Sequence, residues 1–384
     1  MPICNIPWTW LEIDLAQNRI RNCCKTNWIN DNNLLLFDHP IIIERRSNFL
    51  KNIRVSDCNH CWRLEDSGQI SYRQYTKQNQ YLQTNSFPLL GNVPKTLTIN
   101  FGNLCNLSCS YCSEEYSSKW AIEKSIPVVI EKNLNLKKSV FDYIKKILLD
   151  NNLYHLILIG GEPTINPQFY QLLDYIQENI YKRSTQLKIT VQTNGMYSSK
   201  DRGSLITICR SKNIKITYRF SIESIGSSAE FSRTGLNWEK FNSNFRFMYE
   251  NTNFNTNLGI AIHPTLNLYC IESFSKFLSW MEDFDLDRLE DFGFNHVEYP
   301  IGISLRTLGK YSRLLWNNSS YNNRKLQIYA QRVKNFLDSF NNVPKTEDLE
   351  IIQTEYIKTS MRSGIKIEDA IPNLDNLVRG LLDK

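Results

Sequence analysis

Three cysteines lie within eight residues of one another, in the segment Cys105-Asn-Leu-Ser-Cys109-Ser-Tyr-Cys112. The spacing Cys-x3-Cys-x2-Cys lets three thiolates from one loop reach a single iron–sulfur cluster, because cysteine thiolates are the usual ligands of such clusters. A cubane has four irons, so three local ligands leave one iron open to another chelator. An open coordination position is typical of catalytic metal sites, whereas a structural zinc site has four protein ligands. No fourth cysteine or histidine is close by in the sequence.

This loop resembles the signature of radical S-adenosylmethionine (SAM) enzymes. The resemblance implies that the amino and carboxylate groups of SAM chelate the open iron of a 4Fe–4S cluster. One electron from the cluster would then cleave SAM to methionine and a 5′-deoxyadenosyl radical, which takes a hydrogen atom from a substrate. It further implies that Tyr111 lies near the adenine, and that an external one-electron donor such as flavodoxin or ferredoxin reduces the cluster. A zinc site or a group of buried thiols is the alternative interpretation.

A second segment supports the first. The run His155-Leu-Ile-Leu-Ile-Gly160-Gly161-Glu162-Pro163 predicts a buried strand that ends in a tight loop. Two glycines let the backbone come close to a ligand, and a carboxylate can accept charge-assisted hydrogen bonds from an ammonium group. The resemblance assigns this Gly-Gly-Glu-Pro motif to the amino group of SAM.

Two further predicted strand ends carry polar residues, Asn194 after one strand and Ser221 with Glu223 after the next. They resemble strand ends of the same family at which Asn, Ser and an acid contact the ribose or the carboxylate of SAM. The usual acid there is Asp, so Glu223 is a longer substitute. Arg233 is a candidate partner for the SAM carboxylate, because a guanidinium fork suits a carboxylate; an exposed surface arginine is the alternative.

The first 90 residues carry a separate group of cysteines. An alternating apolar and polar pattern over residues 10–23 predicts a hairpin that returns Cys23 to the segment holding Cys4. Together with Cys58 and Cys61, this arrangement resembles the auxiliary-cluster modules called twitch and SPASM, which usually follow the barrel but here precede it. Four ligation points imply one auxiliary 4Fe–4S cluster, held by Cys4, Cys23, Cys58 and Cys61. Cys24 in place of Cys23, and zinc in place of iron, stay open.

The composition is that of an ordinary globular enzyme. The chain has 384 residues, of which 41% are hydrophobic and 22% charged. No apolar run approaches the roughly 20 residues of a membrane span, and no secretion signal is visible. Ten cysteines in such a chain favour metal binding over disulfides, so a cytoplasmic location is predicted. The net charge of +6 comes without the Lys/Arg run of a nucleic-acid patch, so nucleic acid is not an expected partner.

After residue 95, strand-like and helix-like segments alternate, which predicts parallel βαβ units. Strands are expected at 96–101, 156–159, 188–192, 215–222, 257–262 and 296–299, and helices at 139–149, 168–179, 238–249 and 272–281. Ligands of parallel α/β folds bind beyond the carboxyl ends of the strands, where the four motifs of the predicted SAM site fall. The predicted fold class is therefore α/β, a partial (β/α)6 radical SAM barrel over 91–320. A twitch-like module over 1–90 precedes it, and a helical tail over 321–384 follows.

The sequence thus predicts a radical SAM oxidoreductase, with a peptide or protein side chain as the favoured substrate, because auxiliary-cluster relatives often modify ribosomally made peptides. A small metabolite or nucleotide is the alternative substrate. A non-catalytic iron–sulfur or zinc protein is the alternative of another class. Outside the motifs, Cys270, His263 and Glu298 are minor candidates near the substrate, with core, surface or buried hydrogen-bonded roles as the alternative. Cys209 is expected to be a core thiol.

Overall fold

The computed structural model describes residues 3–30, 36–79, 82–91, 93–126, 134–317 and 319–383. The strands are β1 (Trp10–Asp14), β2 (Arg19–Arg21), β3 (Ile29–Asn30), β4 (Thr96–Asn100), β5 (Ser108–Cys109), β6 (His155–Ile159), β7 (Leu187–Thr193), β8 (Ile214–Phe220), β9 (Arg233–Thr234), β10 (Leu258–Ile262), β11 (Thr265–Leu266), β12 (Leu289–Phe292) and β13 (Asn295–His296). The α-helices are α1 (Ile6–Thr9), α2 (Pro40–Leu50), α3 (Asn59–Asp66), α4 (Tyr72–Tyr75), α5 (Ser118–Glu123), α6 (Leu134–Leu148), α7 (Pro167–Asn179), α8 (Arg202–Thr207), α9 (Gly226–Ser232), α10 (Trp238–Asn251), α11 (Leu268–Ile271), α12 (Phe274–Met281), α13 (Leu305–Leu308), α14 (Arg324–Asp338), α15 (Thr346–Ser363), α16 (Ile367–Ala370) and α17 (Pro372–Leu382).

The chain divides into two compact units. The first comprises Met1–Leu104, Pro127–Gln192 and Ser204–Thr217, and the second comprises Cys105–Ile126, Thr193–Gly203 and Tyr218–Lys384. Strands β7 and β8 begin in the first unit and end in the second.

A mostly parallel sheet forms the centre of the first unit, with the order β8-β7-β6-β4-β1-β2-β3. Strand β4 runs parallel to both β1 and β6, and β6 runs parallel to β7. Leu97, Leu156 and Ile189 lie opposite one another on β4, β6 and β7 and are fully buried. Such strands need helices on their faces, and α7 supplies a buried apolar stripe. The predicted hairpin is confirmed as the antiparallel pair β1–β2.

The N-terminal part of this unit has an aromatic core of its own. Trp8, Phe49 and Trp62 are buried together with Cys4. Each indole has a partner for its N–H, as buried indoles require: Trp8 Nε1 donates to the carbonyl of Pro88 at 2.8 Å, and Trp62 Nε1 donates to that of Val55 at 2.9 Å. This core fixes α3, whose first turn carries the second cysteine of the Cys58–Cys61 pair.

The second unit contains the end of β8, the whole of β10 and β12, and the C-terminal helices. Strand β10 runs parallel to β12. Helices α10 and α12 pack through a cluster of aromatic rings, in which Phe245 lies 5.1 Å from Trp280 and 5.2 Å from Phe220 between ring centroids. The predicted tail is helical, as α14 to α17, and Tyr356 of α15 donates to Asp375 of α17 at 2.7 Å.

The predicted α/β class is confirmed, whereas of the predicted sixth strand at 296–299 only His296 lies in a strand, β13. The strand beside β10 is Leu289–Phe292, and Val297 to Tyr299 lie outside any strand. The physical reason is that β12 is only half buried and carries two acidic residues in the middle, so its sequence lacks the apolar pattern of a buried strand. The domain boundaries stay a prediction. Strand β1 of the predicted N-terminal module pairs with β4 of the predicted barrel, so the two predicted domains share one sheet. Every helix among the described residues is too short or too polar to span a bilayer.

Candidate functional site

The loop with the three cysteines is anchored by a short antiparallel ladder. Strand β5 pairs with β9, so that Cys109 lies opposite Arg233 and Ser108 opposite Thr234. The N–H of Ser110 extends the ladder by donating to the carbonyl of Ser232 at 2.9 Å. The ladder therefore fixes the position of the middle cysteine through its backbone.

Helix α5 holds the same loop from its other end. Ser118 Oγ accepts from the N–H of Cys105 at 3.1 Å. Trp120 Nε1 donates to the carbonyl of Cys109 at 2.8 Å. Both interactions bind backbone atoms of the loop rather than a cysteine sulfur.

Cys109 is buried, Cys105 and Cys112 are partly buried, and N–H donors lie near the sulfurs of Cys105 and Cys109. Burial raises the pKa of the Cys109 thiol, and the guanidinium of Arg233, whose Nη1 is 3.9 Å from Cys109 Sγ, acts in the opposite direction. Burial also raises the pKa of Cys112 to about 12. The N–H of Leu107 donates to Cys105 Sγ at 3.4 Å. Donors of this kind tune the sulfurs of an iron–sulfur cluster.

Three predicted SAM-site residues form one buried network: Tyr111, Glu223 and Arg233. Arg233 Nη2 donates to Glu223 Oε2 at 2.6 Å and Arg233 Nε donates to Oε1 at 3.0 Å, while the Tyr111 hydroxyl donates to Oε1 at 3.0 Å. The guanidinium lies 5.3 Å from the centroid of the Tyr111 ring. Glu223 is fully buried and Arg233 is 3% exposed, so the alternative of an exposed surface arginine is wrong.

Asn194, at the end of β7, contacts the cysteine loop directly. Its Nδ2 donates to Asn106 Oδ1 at 2.8 Å and lies 3.9 Å from Cys105 Sγ. Asn106 in turn donates to the carbonyl of Met196 at 3.2 Å. Ser221 follows β8, and its N–H donates to the carbonyl of Thr193, the last residue of β7, at 2.9 Å. Asn106 was not a predicted site residue; it lies inside the motif, where a polar residue between two cysteines gives no distinct signal.

In the first unit, the Gly-Gly-Glu-Pro motif runs against the residues that precede Cys105. The N–H groups of Gly161 and Glu162 donate to the carbonyls of Gly102 and Leu104 at 2.7 and 2.8 Å. A Cβ on Gly160, whose φ is +143°, would lie 2.9 Å from the carbonyl oxygen of Gly102, and one on Gly161 would lie 2.4 Å from that of Leu104. Both positions therefore require glycine for this close approach.

The side chain of Glu162 is buried at the turn that follows these glycines. Its Oε1 accepts from the N–H and the hydroxyl of Thr164, at 3.1 and 2.6 Å, and the residue is 1% exposed. Pro163 begins the 3-10 turn that this carboxylate caps. The carboxylate thus has a fixed orientation.

Four N-terminal cysteines line one small cavity of about 20 Å³: Cys4, Cys23, Cys58 and Cys61. Cys24 does not line it and is exposed. Burial raises the pKa of Cys4 to about 12 and that of Cys58 to about 11. Two arginines, Arg45 and Arg73, also line the cavity. The predicted set of four thiols is therefore brought together in the first unit.

The described residues contain no disulfide and no three His, Cys, Asp or Glu side chains grouped as ligands of one metal ion. A cubane binds each of its thiolates through a different iron, so its ligands stand farther apart than those of a single ion. In both cysteine groups the donor set fits an iron–sulfur cluster: three thiols in the loop and four around the cavity. Sulfur ligands alone do not distinguish iron from zinc.

Arg362 of α15 also supports the cysteine loop. Its guanidinium lies 4.2 Å from the ring centroid of Trp120, and its Nε donates to Thr234 Oγ1 at 3.3 Å. It thus contacts both elements that hold Cys109, the ladder and α5. Nothing in the sequence near Arg362 marks it, because its partners are more than a hundred positions away.

The minor candidates divide between core and surface. Cys209 and Cys270 are buried, and Cys270 Sγ donates to the carbonyl of Asn267 at 3.3 Å within the turn that starts α11. Burial lowers the pKa of His263, and the Glu298 side chain is exposed.

Residues 99–278 match the family model described as the radical SAM superfamily. No curated protein matches the chain. Two crystal structures of SuiB from Streptococcus suis are similar. The one bound to S-adenosylmethionine has 15% identity and a TM-score of 0.40, covering 79% of this chain and 60% of SuiB; the other has 14% identity and a TM-score of 0.38, covering 83% and 68%. The chain thus spans about 60% of the length of the SAM-bound SuiB chain. The matched residues include the three-cysteine loop, so this loop lies in a region similar to the radical SAM superfamily.

Proposed function

We propose that this chain is a radical SAM enzyme that holds a 4Fe–4S cluster on Cys105, Cys109 and Cys112 and binds SAM at the iron without a protein ligand. The observation that carries the proposal is the three-cysteine loop inside the matched residues, anchored through its backbone by β9 and Trp120. When bound, the cluster supplies the electron that cleaves SAM reductively, so that the 5′-deoxyadenosyl group can take a hydrogen atom from the substrate.

In this proposal the residues around the loop orient SAM. Gly160 and Gly161 let the backbone come close to SAM, and the Glu162 carboxylate accepts a hydrogen bond from the amino group of SAM. Asn194 and Ser221 contact the ribose or the carboxylate. Tyr111 lies beside the adenine.

Glu223 has a different task in this proposal from the direct contact with SAM that the sequence suggests. Glu223 accepts hydrogen bonds from both Arg233 and Tyr111, so it fixes the aromatic ring and the guanidinium relative to each other. Arg233 Nη1, near Cys109 Sγ, is the nitrogen placed to meet an anionic group at the cluster. Glu223 is thus a positioning residue, and Arg233 keeps its predicted role toward the SAM carboxylate.

We also propose an auxiliary 4Fe–4S cluster on Cys4, Cys23, Cys58 and Cys61. Support comes from the single cavity that these four thiols line, and Cys23 is favoured over Cys24 because only Cys23 faces it. Zinc at this site is the alternative, since four thiolates suit both metals.

For the substrate we propose a peptide or protein side chain, which rests on the resemblance to enzymes with auxiliary clusters. A small metabolite or nucleotide is the alternative. An external one-electron donor such as flavodoxin or ferredoxin would reduce the clusters, and an oxidoreductase reaction in the cytoplasm stays a prediction.

The test is anaerobic reconstitution with iron and sulfide, followed by dithionite and SAM. We expect about eight irons per chain from two cubanes and formation of 5′-deoxyadenosine. Cys109→Ala is expected to retain about four irons and to form none of this product.

Cys24→Ala is the matched control, because this thiol is exposed and does not line the cavity. It is expected to retain all of the iron and the product. Absence of 5′-deoxyadenosine from the intact chain, or an undiminished yield from Cys109→Ala, would refute the proposed enzyme. About four irons together with one zinc would refute the auxiliary cluster alone.

A further inference from the structure

Two buried polar groups beside the N-terminal cysteines have N–H atoms with no hydrogen-bond partner among the described residues. They are Asn22 Nδ2 and Arg45 Nε. Asn22 is 1% exposed and Arg45 is 3% exposed. Buried donors are almost always satisfied, so two unsatisfied donors at one place suggest that their acceptor is a bound group.

Both residues line the same cavity as Cys4, Cys23, Cys58 and Cys61. The rest of the Arg45 guanidinium is fixed in place, since Nη1 donates to Asn22 Oδ1 at 2.5 Å and Nη2 pairs with Asp57. These contacts hold the guanidinium and the Asn22 amide in one rigid unit. Among the described residues, Arg45 Nε and Asn22 Nδ2 are left without an acceptor in this unit.

Two buried arginines, Arg45 and Arg73, line the cavity beside the four thiols. Arg73 is itself 3% exposed and is held by Glu65, to which its Nε donates at 3.0 Å. Cys58 therefore shares its cavity with two buried guanidinium groups.

We propose that Arg45 and Asn22 donate N–H···S hydrogen bonds to the auxiliary cluster and thereby raise its reduction potential. This inference rests on the proposed auxiliary cluster. Reduction adds one electron from an external donor and breaks no bond, so the cluster gains one negative charge. Hydrogen bonds to the sulfurs and nearby positive charge stabilise that reduced form, and both are recognised determinants of cluster potentials.

The test follows the auxiliary cluster alone, in the full-length chain with Cys109→Ala, reconstituted anaerobically with iron and sulfide. A potentiometric titration monitored by electron paramagnetic resonance measures the midpoint. With Arg45→Gln we expect the ratio of reduced to oxidised cluster at fixed potential to fall by about tenfold, which is about 59 mV for a one-electron couple. Arg45→Lys keeps the charge without the Nε donor, so its midpoint is expected to fall by less.

Arg54→Gln is the matched control, because Arg54 belongs to the same segment but is exposed and pairs with exposed Asp66. Its midpoint is expected to equal that of the parent. If Arg45→Gln fails to take up iron, Arg45→Lys decides, and an unchanged midpoint overturns the inference.

The possible outcomes distinguish the tuning role of Arg45 and Asn22 from the proposed auxiliary cluster on which it depends. An unchanged midpoint in a fully loaded Arg45→Gln chain refutes the tuning role and leaves the auxiliary cluster in place. Zinc in place of iron in the Cys109→Ala chain refutes both.

Discussion

The buried pair of Glu223 and Arg233 offers a quantitative test of the site geometry. Replacing Arg233 with methionine removes the charge but keeps most of the side-chain volume. Glu223 is fully buried and would lose its three contacts with the guanidinium. Removing one partner of a buried ion pair costs about 3–5 kcal/mol, because the other charge is left uncompensated. We therefore expect Arg233→Met to lower the free energy of unfolding by that amount.

Equilibrium unfolding in urea, on the metal-free chain under reducing and anaerobic conditions, measures this loss. Arg246→Met is the matched control: its partner is Asp283, and the two side chains are 40% and 54% exposed. Exposed pairs contribute less than about 1 kcal/mol. The double variant Glu223→Gln/Arg233→Met removes both charges, and we expect it to be more stable than Arg233→Met by about 2 kcal/mol, within the usual range for residues in contact.

Two results would contradict the interpretation of Glu223 and Arg233 as a buried ion pair. The first is that Arg233→Met lowers the free energy of unfolding no more than the Arg246→Met control does. The second is that the double variant is less stable than either single variant. The first result would mean that water reaches Glu223 once the arginine is gone. The second would mean that Glu223 is needed for Tyr111 and Ser232 independently of the arginine.

Three further predictions concern the loop. Gly161→Ala forces the backbone away from the Leu104 carbonyl, so iron analysis is expected to show loss of about four irons per chain, whereas Gly203→Ala, with nothing within 4 Å of its Cβ, retains them. Asn194→Leu removes the hydrogen bond to Asn106, and a rise in the SAM concentration needed for half-maximal 5′-deoxyadenosine formation is expected. Arg362→Gln loses the contacts with Trp120 and Thr234, at a cost of about 1–2 kcal/mol in urea unfolding; an effect no larger than that of exposed Lys358→Gln would contradict the supporting role.

The sequence predicted the elements whose periodicity is set by burial. Strand β10 and helix α7 begin within one residue of their predicted starts, because both bury an apolar face. The cysteine loop and Gly160–Pro163 were recognisable for a different reason: their residue types and close spacing carry the chemistry within a few positions. Strand β12 was not predicted, because its central Glu-Asp pair faces solvent and its pairing is set by the neighbouring strand.

The supporting contacts were not predictable from local patterns. Asn106 and Asn194 are 88 positions apart, and Arg362 and Thr234 are 128 positions apart. A local pattern reports which face of an element is buried, but not which distant side chain meets it. The pairing of Glu223 with Arg233 illustrates the same limit at short range, because ten positions of turn and helix separate two residues that the sequence treats as independent contacts.

A shared arrangement links the two cysteine groups. Near Cys109 lies Arg233, held by Glu223. Near Cys58 lies Arg45, held by Asp57. In each case a carboxylate binds one side of the guanidinium, which offsets its positive charge and fixes its orientation. Each guanidinium therefore presents oriented N–H donors to the sulfurs more than a free positive charge. Such donors stabilise anionic sulfur without the flexibility of a lysine side chain. It follows that replacing either arginine with lysine preserves the charge but only part of the effect.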